Sequence, residues 1–147
     1  MAFRGPVDLE ELNRLSRGTL IEHLGIVFTA AGDDWLQATM PVEGFTRQPY
    51  GLLHGGASVV LAETLGSSAG NLCLDTTRQQ AVGLEINANH LRAVREGVVT
   101  GTARAVHVGR STQVWDIRIE DARGRASCVS RLTLAVVPVA PPEGRAG

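Results

Sequence analysis

The chain has 147 residues, a formal net charge of -1 and a sequence pI of about 6.4. This length fits one domain, and the near-neutral charge argues against nucleic-acid binding, which depends on a field of positive charge. All 14 basic residues are arginine, which excludes a Walker A phosphate loop and a Schiff-base lysine.

The sequence contains no apolar run of signal-peptide type and no stretch as long as a membrane span. Cys73 and Cys128 form no C-x-x-C pair, so we expect buried thiols in a reducing compartment. We therefore expect a cytoplasmic protein with neither a membrane nor a nucleic acid as its partner.

Two short helices and a hairpin are predicted in the N-terminal third. Asp8 and Glu11 form a capping pattern for a helix that ends near Gly18, and a second helical turn ends at Gly25. Two β-favouring runs then flank a turn signal at residues 32–34, which predicts a hairpin of residues 26–31 and 35–42.

The middle of the chain predicts a loop followed by a long helix. Residues 43–53 contain glycine and proline without any period, and their length is typical of functional loops. Residues 55–72 are apolar or small on every side apart from one charge, which is typical of a buried helix.

The second half predicts an antiparallel meander of four long strands, at residues 80–92, 98–108, 111–120 and 125–137. The third strand alternates, with Gln113, Trp115, Ile117 and Ile119 on one face and a solvated face opposite. The fold class is therefore α+β, with one buried helix on a long, curved antiparallel sheet. We expect one domain over residues 1–137. Residues 138–147 have too little apolar content to pack, so we expect a disordered tail there.

Glu63 is the one ionisable residue in the predicted long helix. An unpaired buried carboxylate costs several kcal/mol or acquires a raised pKa, and catalysis is one reason to keep it. The alternatives are a solvent-facing position or an ion pair with a distant arginine. A solvent-facing stripe would need more polar neighbours than Ser67 alone.

His54-Gly55-Gly56 stands at the start of the same helix. Free backbone N–H groups and the helix dipole could hold an oxyanion there, although a simple capped turn has the same pattern. Gly55 and Glu63 are about 12 Å apart along the helix axis, too far to act on one carbonyl carbon. If both are catalytic, Gly55 of one subunit must face Glu63 of another across a two-fold axis.

Two segments carry a family resemblance: RQPYGLLHGGASVVLAE at residues 47–63 and VGLEINANH at residues 82–90. They resemble the hotdog-fold acyl-CoA thioesterases of the PaaI-like group. Within it, the similarity is to enzymes that hydrolyse 1,4-dihydroxy-2-naphthoyl-CoA in menaquinone biosynthesis and to proofreading thioesterases of siderophore pathways. The resemblance covers most of the segment 8–137.

The resemblance implies a hotdog fold, a long central helix wrapped by a curved antiparallel β-sheet. It implies a homodimer, usually paired into a homotetramer, that hydrolyses acyl-CoA substrates without a cofactor or a metal. Glu63 matches the catalytic carboxylate, and Gly55 matches the amide that polarises the thioester carbonyl. Gln48 and His54 match groups around that carbonyl and the leaving group, and Ser67 matches a hydroxyl that orients water or the carboxylate.

The resemblance also implies a set of substrate-binding and CoA-binding residues near strand ends: Gly83, His90, Leu91, Arg92, Ala93, His107, Val108, Gly109, Arg110, Ser111 and Thr112. We expect Arg92 and Arg110 to contact the CoA phosphates, because guanidinium binds phosphate in a bidentate manner. Solvation of both arginines is the alternative, and a packed structural role is the alternative for His90.

Other chemistries find less support. The sequence around Ser58 lacks the final glycine of a nucleophile elbow, so we interpret Ser58 as a helix residue. The four histidines share no metal-ligand spacing, so zinc is not expected. Glu63 could act as a nucleophile or as a general base. Hydrolysis of carrier-protein thioesters and a non-catalytic acyl-CoA-binding module remain as alternative functions, and a hotdog dehydratase fits less well.

Overall fold

The computed structural model describes residues 2–140. One antiparallel sheet of six strands, in the order β1-β2-β4-β5-β6-β3, packs against one long helix. The helices are α1 (Leu9–Leu15), α2 (Leu20–His23) and α3 (Gly55–Leu72), and a 3-10 turn covers Gly44–Thr46. The strands are β1 (Val27–Ala31), β2 (Trp35–Pro41), β3 (Gln79–His90), β4 (Val98–Val108), β5 (Thr112–Glu120) and β6 (Ala126–Pro138).

The predicted α+β class is confirmed, and the predicted helix at residues 55–72 has the bounds of α3. Strand β6 runs through Pro138, and the Val139 N–H donates to the Arg78 carbonyl, so ordered structure extends past the expected start of the tail. The rest of that predicted tail, residues 141–147, lies outside the described residues. None of the described helices is long and apolar enough to span a membrane.

Local signals set the N-terminal helices where the sequence predicts them. The Asp8 carboxylate accepts a hydrogen bond from the Glu11 N–H at 3.0 Å, which caps α1. Gly18 and Gly25 follow the two short helices, each with a φ of 72°, in the left-handed region that glycine adopts without strain.

The core lies between α3 and the inner face of the sheet. Trp115, Ile117 and Ile119 point inward from β5, as the alternation predicts, and Trp115 stacks on Phe3 at 6.1 Å between ring centroids. Gly101 on β4 allows close approach of the helix, because a Cβ there would lie 2.7 Å from the Leu65 Cδ1.

One side of α3 is not covered by the sheet, which differs from the predicted helix buried on every side. Leu61, Leu65 and Ala69 are fully buried, whereas Val60 and Glu63 on the other side are half-buried. A single sheet shields only one side of a helix lying on it. An apolar helix face with one carboxylate therefore remains accessible in a single chain.

The two cysteines differ in burial. Cys128 is buried, as predicted, but Cys73 is only half-buried. Desolvation raises the pKa of the Cys73 thiol to about 11, so it is a poor nucleophile near neutral pH.

A buried polar network joins the C-terminal half of α3 to the sheet. The fully buried Gln113 donates from Nε2 to the Gly70 carbonyl at 3.2 Å and accepts from the Trp115 Nε1 at 3.0 Å. The side-chain amide therefore satisfies one buried acceptor and one buried donor that water does not reach.

We expect Gln113→Leu to lower the free energy of unfolding by about 1–3 kcal/mol, because it leaves the buried Trp115 Nε1 without an acceptor and the Gly70 carbonyl with only the Cys73 N–H at 3.3 Å. Chemical denaturation would measure this loss. Gln37→Leu is the matched control, since Gln37 bonds Thr102 at 3.1 Å in a partly exposed position where water can replace it. Equal losses in the two variants would contradict a special role for the Gln113 network.

Candidate active site

The loop before α3 presents Gln48. The Gln48 N–H donates to the Leu52 carbonyl at 2.8 Å, and the Gly51 N–H donates to the Gln48 carbonyl at 3.0 Å. The Tyr50 N–H donates to the side-chain oxygen of Gln48. The side-chain NH2 of Gln48 has no acceptor within residues 2–140, so it is available to a ligand.

His54 caps α3 and leaves one amide free. Its Nδ1 accepts from the Gly56 N–H at 2.8 Å, and its carbonyl accepts from the N–H groups of Ala57 and Ser58. The Gly55 N–H has no acceptor among the described residues. A free amide at the positive end of a helix dipole is suited to an oxygen that carries negative charge.

A cavity of about 370 Å³ opens over this helix start. The His90 imidazole lies against Gly55, where a Cβ would come within 2.9 Å of the His90 Nε2. Of the predicted site residues, the cavity brings together Gln48, Gly55, His90, Leu91, Arg92 and Ala93. It also includes the buried Ser58, which the sequence interpretation assigned only to the helix.

Glu63 lies in a different cavity, of about 420 Å³, between α2 and α3. Its carboxylate packs against Gly83 of β3, where a Cβ would lie 2.5 Å from the Glu63 Oε1. The other lining residues are apolar or hydroxyl-bearing: Leu20, Ile21, Val59, Val60, Thr64, Ser67 and Ser68. Ser67 is therefore beside Glu63, as expected, whereas nothing in the sequence indicated the wall formed by α2.

The Glu63 carboxylate has no hydrogen bond and no ion pair within the described part of the chain. The four ion pairs found there involve other carboxylates, so the alternative in which Glu63 pairs with an arginine is wrong for these residues. Desolvation raises the pKa of the Glu63 carboxyl above its usual value of 4.5. The group is therefore easier to protonate than an ordinary surface glutamate.

The free amide and the carboxylate do not meet in one chain. The Gly55 cavity and the Glu63 cavity share no lining residue. This separation agrees with the spacing of the two residues along α3, about 12 Å for eight residues. In a single chain the two groups therefore face separate cavities.

The predicted binding residues 107–112 line neither cavity. They form the hairpin between β4 and β5, closed by the Gly109 N–H donating to the Thr112 carbonyl at 2.9 Å. Strand register sets Val108 opposite Gln113, Gln113 opposite Leu134, and Leu134 opposite Gly83. The hairpin is thus at the same end of the sheet as Gly83, the residue against Glu63.

A larger depression of about 640 Å³ lies on the outer face of the sheet. Its walls are mostly polar strand residues, including the exposed Asp116–Arg131 ion pair at 2.7 Å, with Ile117 and Val129 among them. It contains neither Gly55 nor Glu63, so its size alone does not make it the candidate site. Residues 2–140 contain no cluster of three or more His, Cys, Asp or Glu side chains suited to a metal ion.

Comparison with known proteins shows which family the chain resembles. The family model of the Thioesterase superfamily matches residues 50–128. The 1,4-dihydroxy-2-naphthoyl-CoA hydrolase of Escherichia coli is 53% identical over 137 residues, which are 93% of this chain and 100% of that protein. The proofreading thioesterase EntH of Cronobacter sakazakii is 55% identical over 139 residues, 93% of this chain and 99% of that protein.

Solved structures give the same assignment. A thioesterase variant from Pseudomonas aeruginosa superposes with a TM-score of 0.93 at 55% identity, covering 95% of this chain and 100% of its own. A thioesterase from Haemophilus influenzae superposes with a TM-score of 0.92 at 50% identity, covering 97% of this chain and 99% of its own. The chain therefore belongs to the Thioesterase superfamily, with its hotdog fold, and is a thioester hydrolase.

Proposed function

We propose that the protein hydrolyses an aromatic acyl-CoA thioester, such as 1,4-dihydroxy-2-naphthoyl-CoA or a benzoyl-type CoA, to the free acid and CoA. The observation that carries this proposal is the pair of unpartnered groups, the Gly55 amide and the Glu63 carboxylate, each open to a cavity. The name of the similar protein from E. coli supports the substrate class, and the name of the one from C. sakazakii supports thioester hydrolysis.

In the proposed reaction the Gly55 N–H binds the thioester oxygen and stabilises its developing negative charge. In one route Glu63 attacks the carbonyl carbon, CoA departs as the thiolate, and water then hydrolyses the mixed anhydride to free the acid and Glu63. In the other route Glu63 takes a proton from a water that attacks the carbon, and CoA again departs as the thiolate. Gln48 and His54 surround the carbonyl and the leaving group, and Ser67 orients water or the carboxylate. These groups need no metal ion or organic cofactor.

The proposal requires a homodimer, and the edge strand β3 is suited to form it. In this chain β3 pairs on one side only, with β6, and its apolar residues Val82 and Leu84 are 39% and 62% exposed. The β-bulge between Gly83 and Glu85 adds one residue to β3, so antiparallel pairing of two β3 strands around a two-fold axis at Asn87 would set Gly83 opposite the partner's His90. Because Glu63 packs on Gly83 and His90 packs on Gly55, each carboxylate would then face the partner's Gly55.

The same arrangement suggests how the substrate binds. The acyl group lies in the apolar groove beside Glu63, between α2 and α3. The CoA arm follows residues 90–93, where the exposed Arg92 makes no ion pair within residues 2–140 and is available to a phosphate. Arg110 and the hairpin at residues 107–112 are the second proposed CoA contact. We propose a cytoplasmic location and the pairing of dimers into a homotetramer, as in the group that the sequence resembles.

A second candidate substrate, the alternative that the sequence leaves open, is an acyl or aryl group on a carrier protein. A proofreading thioesterase is among the similar proteins. The chemistry at the carbonyl is the same, and only the leaving thiol differs. Thiol release from a panel of acyl-CoAs, run beside release from a loaded carrier protein, distinguishes the two substrates. Absence of hydrolysis with every thioester would instead support a non-catalytic binding module.

We expect Glu63→Gln to reduce kcat by orders of magnitude while the fold remains stable. Since the pKa of Glu63 is raised in the folded protein, its charged form costs stability above that pKa. The uncharged variant should therefore be at least as stable as the wild type at pH 7. Thiol release and chemical denaturation measure the two effects, and near-normal hydrolysis would contradict the assignment.

The same raised pKa predicts the acidic limb of the pH–rate profile. Activity that needs the Glu63 carboxylate falls as the pH drops through the pKa of the group, which lies above 4.5. We therefore expect half-maximal kcat/KM at a pH above that of an ordinary glutamate. A limb at or below pH 4.5 would show that the reacting group is not the desolvated carboxylate.

We expect Gly83→Ala to lower kcat by on the order of tenfold or more, because the added Cβ pushes the Glu63 carboxylate from its position. The backbone should accept alanine, since the φ of Gly83 is not positive. Gly44→Ala is the control, because a Cβ there meets nothing within 4 Å. Steady-state kinetics on the two variants would show whether Gly83 matters to turnover, and unchanged kcat in Gly83→Ala would contradict the proposed geometry.

A further inference from the structure

Six polar side chains are buried in the described part of the chain: Ser16, Thr46, Ser58, Gln113, Ser127 and Ser130. Five of them donate to a backbone carbonyl of the same chain, namely those of Leu12, Pro41, Gly70, Ile119 and Asn87. Ser58 is the exception. It is only 3% exposed, and its hydroxyl has no hydrogen-bond partner within residues 2–140.

A buried hydroxyl without a partner is unfavourable, because the group has given up its hydrogen bonds to water. The Ser58 oxygen is not completely enclosed, and the residue lines the cavity over Gly55. The hydroxyl therefore faces that cavity. No histidine or carboxylate is hydrogen-bonded to it among the described residues, so nothing there activates it as a nucleophile.

The geometry of an α-helix directs the Ser58 side chain toward the free Gly55 amide. A Cα–Cβ bond in an α-helix tilts toward the N-terminus, so a side chain covers the turn before its own position. Ser58 is three residues after Gly55 in α3. Its hydroxyl and the unpaired Gly55 N–H thus point into the same cavity from adjacent positions on one turn.

We propose that the Ser58 hydroxyl is a second hydrogen-bond donor to the thioester carbonyl oxygen, beside the Gly55 amide. This inference rests on the proposed hydrolysis of an acyl-CoA. Ser58 forms and breaks no covalent bond in it. Its donor stabilises the charge that develops on the oxygen when the carbonyl carbon is attacked, and the substrate supplies the partner that the free protein lacks.

The test is Ser58→Ala, with steady-state kinetics on an acyl-CoA that the wild type hydrolyses and with thermal unfolding of the same preparation. We expect kcat to fall on the order of 100- to 1,000-fold with little change in KM, the range typical of a lost oxyanion donor. The Tm should stay unchanged or rise, because the substitution removes a nearly buried hydroxyl that has no hydrogen-bond partner within residues 2–140.

Ser16→Ala is the matched control, since Ser16 is also buried in helical surroundings but bonds the Leu12 carbonyl at 2.8 Å. It should lose stability and keep its kcat. This is the opposite pattern to Ser58→Ala, so a general effect of removing a buried serine hydroxyl cannot imitate the expected result.

Three results would overturn the assignment of Ser58: a wild-type kcat in Ser58→Ala, a rise in KM alone, or a fall in Tm that accounts for the lost activity. A rise in KM alone would mean that the hydroxyl contacts a part of the substrate that does not react. If the wild type is active and Glu63→Gln is inactive while Ser58→Ala is normal, only this inference fails. A wild type that releases no thiol from any acyl-CoA would refute the proposed function and this inference together.

Discussion

Catalysis in the proposed enzyme depends on the contact between the Glu63 carboxylate and Gly83. This contact removes water from one side of a charged group and supplies neither a cation nor a hydrogen-bond donor in its place. The free energy for holding the carboxylate there comes from the rest of α3, whose buried leucines pack on the sheet. A group held in an unfavourable ionisation state by its surroundings is a common feature of active sites.

The start of the same helix shows the complementary electrostatic feature. His54 satisfies the amides of Gly56, Ala57 and Ser58, and the one amide left over is that of Gly55. The carboxylate is an acceptor without a donor, and the amide is a donor without an acceptor. They lie in separate cavities of one chain, so each needs a substrate and a second subunit to find a partner in the proposed enzyme.

The sequence predicted what depends on local patterns. The capped helix at Asp8, the long helix and the inward alternation of β5 follow from neighbouring residues, and all are present. The uncovered face of α3 and the contact between Glu63 and Gly83 depend on how distant segments pack. Local sequence patterns do not determine that packing. The role proposed for Ser58 was not predicted from the sequence. A serine in a helix gives no signal of such a role until its neighbours and its missing hydrogen bond are known.

The most direct test of the central claim uses two inactive variants in one dimer. Glu63→Gln and Gly55→Val subunits, co-expressed with different tags and purified as mixed dimers, would contain one intact site and one doubly altered site if each site is shared. We expect about half of the wild-type turnover per dimer, because one of the two sites related by the two-fold axis is intact. Mixed dimers no more active than either parent variant would contradict it, because each chain would then contain a complete site of its own.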